Sequence, residues 1–258
     1  MLAVRGRFRE IFAIYVATLL LALFFAWPPP PEVPPEGESP GTAGLFFTYV
    51  ILATLAFLAI IRLWPWLLRH ILAFLEIVFL FSTTALITVS YNLPVTLPYL
   101  AVTTRIIWWR NYIVQNISTA IIASVATAVV GMGLSPGVAA ALLAIFAIYD
   151  YVSVFVTKHM VTLARALGAT ADEEGRVRKV SEIHMLGAGD IVIPGIFSVS
   201  LLRVGLLPAL LSVFGAVVGL FWTMNLARRW KRVLPALPSI ALPELCFAAV
   251  GITLSLFL

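Results

Sequence analysis

The sequence predicts an all-α membrane protein of nine transmembrane helices, with a cytoplasmic N-terminus and an external C-terminus. Three observations carry that reading. Of 258 residues, 62% are hydrophobic and 11% charged, whereas a soluble domain carries roughly 25% charge. The apolar runs reach the about 20 residues that a helix needs to cross a bilayer. Basic residues gather between those runs, where they orient the spans by the positive-inside rule. A net charge of +5 also suits nucleic acid, but no nucleic-acid-binding motif accompanies it. The lone Cys246 excludes an internal disulfide, and no CxxC or His/Cys cluster points to a metal or a cofactor.

Eight runs are clear, at 10–27, 44–66, 71–90, 112–132, 137–157, 183–203, 206–226 and 235–258. The first resembles a signal peptide, with a basic start before an apolar core. Its run is long for one, however, and no small-x-small site precedes Trp27, so we expect it to stay as a span. The following segment, PPPPEVPPEGESPGTAG, is a stiff, extended linker by composition. A further run at 93–109 is interrupted by Pro94, Pro98 and Arg105, and charge parity decides whether it crosses. If it does, sixteen of the seventeen Lys and Arg residues are cytoplasmic and only Arg203 is outside. Glu32, Glu36 and Glu38 then lie in the external first loop. With eight spans the parity flips, and nine of the ten basic residues from Lys158 onward are misplaced. The chain therefore divides into a six-span bundle at 1–157, a mobile cytoplasmic loop at 158–181 and a three-span bundle at 182–258.

Two of the three aspartates, Asp150 and Asp190, fall inside spans. An ionisable group at that depth costs a few kcal/mol and is a functional candidate by default. The two spans run antiparallel, and each aspartate lies seven residues from its cytoplasmic boundary, about 10 Å deep at 1.5 Å per residue. Neighbouring carboxyls at one level cannot both ionise, so the pair holds one proton over a wide pH range. One member then serves as base towards a water that attacks a peptide carbonyl, while the other polarises the carbonyl and protonates the leaving nitrogen.

The surroundings suit that chemistry. Gly187 and Gly189 permit close backbone approach to Asp190, although small-residue packing between helices explains them equally well. Tyr149 precedes Asp150 at about 100° around the helix, where its hydroxyl either supports a neighbour or packs. Pro194 loosens the helix after Asp190 and frees a carbonyl. Pro235, Ala236 and Leu237 open the last span, and with Pro238 and Pro243 we expect an irregular first turn that lines a cavity. A helix-start role accounts for Pro235 but not for all three prolines. Glu76 and Glu244 are candidates for a proton path, with a structural hydrogen bond the simpler explanation for Glu76. The Asn116-Ile117-Ser118 pattern lies within a span and is discounted as a glycosylation site.

Tyr149-Asp150, the GxGD motif of Gly187, Ala188, Gly189 and Asp190, and the PAL motif of Pro235, Ala236 and Leu237 together resemble presenilin and signal peptide peptidase. The TKHM stretch at 157–160 is similar to the archaeal members. The resemblance implies an intramembrane aspartic protease in which Asp150 and Asp190 are the catalytic pair, and the PAL segment places substrate and shapes the site. It implies transmembrane-protein or signal-peptide substrates and a multi-pass location in the cell membrane, with the lipid bilayer as surroundings. A homo-oligomer is compatible with it. The loop at 158–181 lacks the hydrophobic segment at which presenilins are cut, so an active single chain is expected. A cytoplasmic N-terminus is similar to presenilin and opposite to signal peptide peptidase, and favours substrates with an external N-terminus. Because a substrate helix must unwind before water reaches its carbonyls, the backbone of the PAL segment and of residues after Lys158 is a candidate strand partner for it. A proton- or cation-coupled transporter or channel is the alternative, since intramembrane acids and proline-broken helices also mark ion pathways.

Overall fold

The computed structural model describes residues 3–6, 8–28, 65–155, 184–230 and 235–257, with a few positions between 39 and 56. The span expected at 44–66, the proline-rich linker and the loop at 158–181 therefore lie outside the described residues, wholly or for the most part. In chain order the elements are strand β1 (Ala3–Gly6), helices α1 (Phe8–Phe25), α2 (Pro65–Ser90), α3 (Leu97–Ile107), α4 (Tyr112–Gly133) and α5 (Pro136–Phe155), strand β2 (His184–Gly187), and helices α6 (Gly189–Ser200), α7 (Leu206–Trp230) and α8 (Ala236–Ser255). A single 3-10 turn, Leu201–Arg203, continues α6. Among the described residues, six helices are long and apolar enough to span a membrane: α1, α2, α4, α5, α7 and α8.

Apolar residues on opposite faces of a helix meet different surroundings. In α1 the stripe Ile11, Tyr15, Leu19, Ala22 and Leu23 is buried, while Leu20, Leu21 and Phe24 are exposed. The buried stripe recurs at three- and four-residue spacing, as packing on one face requires. The outward face stays apolar because its solvent is lipid. Hydroxyls obey the same constraint, since no water satisfies them within a bilayer. Thr83, Thr84 and Thr88 turn back to donate to the carbonyls of Phe79, Leu80 and Thr84 at 2.8, 2.6 and 2.8 Å.

Glycines let the helices of the second half touch through their backbones. A Cβ on Gly215 would stand 2.7 Å from the Glu244 Cα, and one on Gly219 would stand 2.5 Å from the Ser239 carbonyl oxygen. These two glycines, four residues apart on α7, are a small-xxx-small seam against α8. Gly251 of α8 returns the contact, its absent Cβ falling 2.7 Å from the Pro208 Cα. Gly131 on α4 and Gly195 on α6 do the same where those helices meet, against Val199 and Thr127.

Several expectations change. The run at 93–109 forms only the eleven-residue helix α3, about 16 Å long and short of a bilayer's hydrocarbon thickness. Its Arg105, expected among the cytoplasmic orientation charges, is buried and donates from Nε to Glu76 Oε1 at 2.6 Å and from Nη1 to the Trp109 carbonyl at 2.9 Å. Glu76 is thereby a structural partner. A cavity of about 340 Å³ beside this pair is lined by Ala73, Ile77, Ile106 and Trp109, and neither Asp150 nor Asp190 reaches it. The run at 183–203 is not helical throughout: its first residues form β2, antiparallel to β1 with Ala3 opposite Gly187 and Gly6 opposite His184. Asn116 is buried within α4, in keeping with the discounted glycosylation pattern.

Candidate functional site

Asp150 and Asp190 belong to helices that pack directly on one another, α5 and α6, and α8 packs on both. Asp150 lies in the last two turns of α5, and Asp190 in the first turn of α6. Both aspartates are half-buried residues.

Each carboxyl is also held by backbone. Asp150 Oδ2 accepts from the Leu237 N–H at 3.2 Å, and the Ala236 N–H is directed at the same group. These donors are the first amides of α8, where a helix has no internal acceptors to offer them. No side chain of the segment supplies a cap. Pro235, at φ −65° and ψ 127°, is the N-cap residue and makes no side-chain bond, so a carboxyl from another helix fills the role. The positive end of the α8 dipole adds to that attraction. Asp190 has the corresponding support from its own chain: its Oδ2 accepts from the Gly187 N–H at 3.3 Å, and it lies at the positive end of α6.

The expected irregular turn after Pro235 is a correction. The helix is regular from Ala236 onward, because Pro238 falls in the first turn, where a missing N–H costs nothing. Only Pro243 is interior. It leaves the Ser239 carbonyl without its usual donor four residues on, at the point where Gly219 brings α7 closest. Pro194 acts as expected within α6: having no N–H, it releases the backbone carbonyl of Asp190 itself.

The glycines divide in their roles. A Cβ on Gly187 would lie 3.2 Å from Asp190 Oδ2, whereas one on Gly189 meets nothing within 4 Å. Gly189 is exposed. Tyr149 is half-buried beside Asp150. Lys158 and His159 lie outside the described residues.

Sequence reasoning missed the β1–β2 ribbon and the bond from Leu237 to Asp150. A four-residue strand is too short for an alternation signal, and the bond comes from a main-chain amide, which has no signature of its own.

A helical membrane bundle with two carboxyls on adjoining helices, each held by a backbone amide, has the layout of an intramembrane aspartyl protease. Two solved structures described as a presenilin family intramembrane aspartate protease, in two space groups, share the fold at TM-scores of 0.69 and 0.68 and 22% identity. The alignments cover 94% and 93% of this chain and 96% and 97% of those chains. The family model described as signal-peptide peptidase, presenilin aspartyl protease matches residues 12–171, a stretch that includes Asp150 and ends before Asp190. No curated protein matches the chain significantly. The chain belongs to the signal-peptide peptidase and presenilin aspartyl protease family, and is a multi-span membrane hydrolase.

Proposed function

We propose that this protein hydrolyses peptide bonds within transmembrane segments, with Asp150 and Asp190 as a general acid/base pair acting on a water. The observation that carries this reading is the packing of α5 on α6, the helices that bear Asp150 and Asp190, with a backbone N–H donating to each carboxyl. One carboxylate takes a proton from water as its oxygen bonds to the substrate carbonyl carbon. The other carboxyl gives its proton to the departing nitrogen as the C–N bond breaks. Backbone donors from Leu237 and Gly187 hold the pair, so either acid can change protonation while the geometry persists.

Substrates on this reading are transmembrane proteins or signal peptides. An unwound substrate pairs with the edge of β2 that lies opposite β1, since the described sheet has two strands only. The PAL segment serves chiefly by aligning Asp150, with Tyr149 and Gly189 bordering the approach. The chain crosses the cell membrane nine times, in a six-span and a three-span bundle, with a cytoplasmic N-terminus, and works uncut. Family membership favours this reading, and the transporter alternative draws no support from it.

The test is incubation of the purified protein with a labelled single-span substrate. Cleavage should be lost, by at least about a thousandfold as for removal of an essential catalytic group, in both Asp150→Ala and Asp190→Ala. Retention of cleavage in either variant would refute the pair mechanism.

A further inference from the structure

Three helices of the second half meet at a buried carboxyl that the proposed chemistry does not use. Glu244 on α8, Ser198 on α6 and Ser212 on α7 are all buried. Glu244 Oε1 accepts from Ser198 Oγ at 3.0 Å and from Ser212 Oγ at 3.1 Å, and the two hydroxyls are 2.9 Å apart. Its Oε2 has no hydrogen-bond partner among the described residues, so the bonding of this side chain is spent on two neighbouring helices. Serines elsewhere in the bundle serve their own helix: Ser124 donates to the Ile121 carbonyl at 3.1 Å and Ser200 to that of Phe197 at 2.7 Å. Ser198 and Ser212 turn sideways instead. A glutamate so deep is among the rarest of core residues, and an apolar side chain of its size would fill the space without burying an acid. Packing alone does not select the cluster.

The directions of the helices show what it connects. From Gly219 through Gly215 to Pro208, α7 meets first Ser239 and Ile240, then Glu244, then Gly251 of α8, so the two run antiparallel. Helix α6 turns into α7 through Leu201 to Gly205 and meets it again at Ser198 and Ser212, so it too is antiparallel to α7. Helices α6 and α8 therefore run in the same direction, and the first turn of each serves an aspartate. Asp190 lies in that of α6, and that of α8 gives Asp150 the Leu237 N–H. Ser198 stands eight residues past Asp190 and Glu244 seven past Leu237, about 12 and 10 Å along their axes at 1.5 Å per residue. The two arms agree to about one residue's rise. Each arm also contains an interior proline, Pro194 in one and Pro243 in the other, which removes a backbone bond and loosens its helix. The bond from Glu244 to Ser198 lies beyond both prolines and ties the arms together.

Resting on the protease reading of the two aspartates, we infer that Glu244 and Ser198 are positioning residues that lock the axial register of α8 against α6, and with it the height of the Asp150 anchor relative to Asp190. Ser212 braces the pair from α7 and contributes less, because α7 carries neither an aspartate nor an amide that holds one. What the tie needs from Glu244 is an accepting oxygen and not a proton. Both residues act two turns away from the aspartates, through the helices that present them.

The experiment measures kcat and KM for cleavage of a labelled single-span peptide by the full chain in detergent, with the thermal midpoint of each variant recorded alongside. Ser198→Ala and Ser212→Ala each remove one hydroxyl from the same buried oxygen, and alanine suits a helix, so the two should lose similar stability. Only Ser198→Ala cuts the tie to α6; it should lose about tenfold in kcat with KM unchanged, as a small misplacement of reacting groups does, whereas Ser212→Ala should stay within about twofold. Glu244→Gln keeps the accepting oxygen and should stay within about threefold of wild type, while Glu244→Met removes it and should lose at least as much as Ser198→Ala. Equal kcat losses in the two serine variants, or losses that simply follow the thermal midpoints across the set, would overturn the inference and leave a structural cluster only. A Glu244→Gln variant as impaired as Glu244→Met would overturn it as well, since Glu244 would then supply an acid proton rather than register. If Glu244→Met fails to fold, the two serine variants decide alone. Failure of the underlying reading looks different, for then wild type itself does not cleave and the inference falls with it.

Discussion

At the scale of single residues, two backbone amides govern how the aspartates are presented. The Leu237 N–H donates to Asp150 at 3.2 Å, and a single substitution can remove it. Leu237→Pro deletes it while keeping a proline in the first turn of a helix, where proline is tolerated. A hydrogen bond to a charged acceptor contributes about 1.5–3 kcal/mol, so turnover of a labelled substrate should fall by about ten- to a hundredfold. Leu237→Met keeps both the amide and the volume and should retain turnover; equal activity in the two variants would show that the amide is idle. Asp150, Asp190, Gly187, Gly189 and Pro235 to Leu237 were all legible as a constellation, because paired acids and motif spacing are properties of side chains in sequence. The purpose of the PAL segment was not. Three prolines suggested a broken turn, but positions N-cap and N3 absorb two of them, and what the segment gives Asp150 is a main-chain proton that any residue except proline carries. Glu76 and Arg105 were visible as polar residues in apolar runs, yet their pairing depends on α2 and α3 folding back on each other, which neither run encodes alone.

At the scale of elements, the seam between α7 and α8 and the β1–β2 ribbon each fix one aspartate. The seam sets where α8 starts relative to α5, because Gly219 lies against Ser239 and Ile240 just beyond the first turn that meets Asp150. Gly219→Ala puts a methyl 2.5 Å from the Ser239 oxygen and 2.6 Å from the Ile240 Cα, both backbone atoms that cannot rotate away. Overpacking of this kind costs about 1–3 kcal/mol, so the thermal midpoint in detergent should drop, whereas Gly133→Ala, which meets nothing within 4 Å, should leave it unchanged. The ribbon acts on Asp190: β2 ends on Gly187, whose amide holds the carboxyl, and β1 pairs along its full length. Removing residues 1–6 frees β2 on that side. Turnover should then fall by up to about a hundredfold, the usual result of misplacing a reacting group by about 1 Å, while the helical circular dichroism persists. Faster cleavage would mean instead that β1 occupies the edge a substrate needs. The ribbon also changes how the aspartates share a level. A strand rises about 3.3 Å per residue against 1.5 Å in a helix, so four extended residues carry the chain farther than the sequence count of a continuous helix implied.

At the scale of the whole molecule, the open quantity is the number of crossings, and parity makes it measurable. The described residues contain six helices of spanning length, and two further segments, α3 and α6, that are too short to cross alone as regular helix. Asp190 nonetheless stands at the start of α6 with β2 before it, and α6 continues through the 3-10 turn to Arg203, whose Nη2 donates to the Met132 carbonyl at the end of α4. Arg203 and the end of α4 therefore share one end of the bundle, as they must if α4 and the span from β2 to Arg203 run in the same direction. Nine crossings put the two termini on opposite sides of the membrane; eight put them on the same side. Replacing Cys246, the only cysteine, with alanine removes background labelling, after which single cysteines placed at position 2 and at position 258 report each terminus to a membrane-impermeant maleimide. In intact cells position 258 should label and position 2 should label only after lysis, because Arg5, Arg7 and Arg9 hold the first segment inside. Labelling of both positions on the same side would remove the ninth crossing, and the basic residues from Lys158 onward, Arg203 excepted, would then stand outside against the charge rule. The same outcome would place Asp150 and Asp190 near the external face, and a substrate would have to present its N-terminus from the cytoplasm to be cut in the orientation proposed.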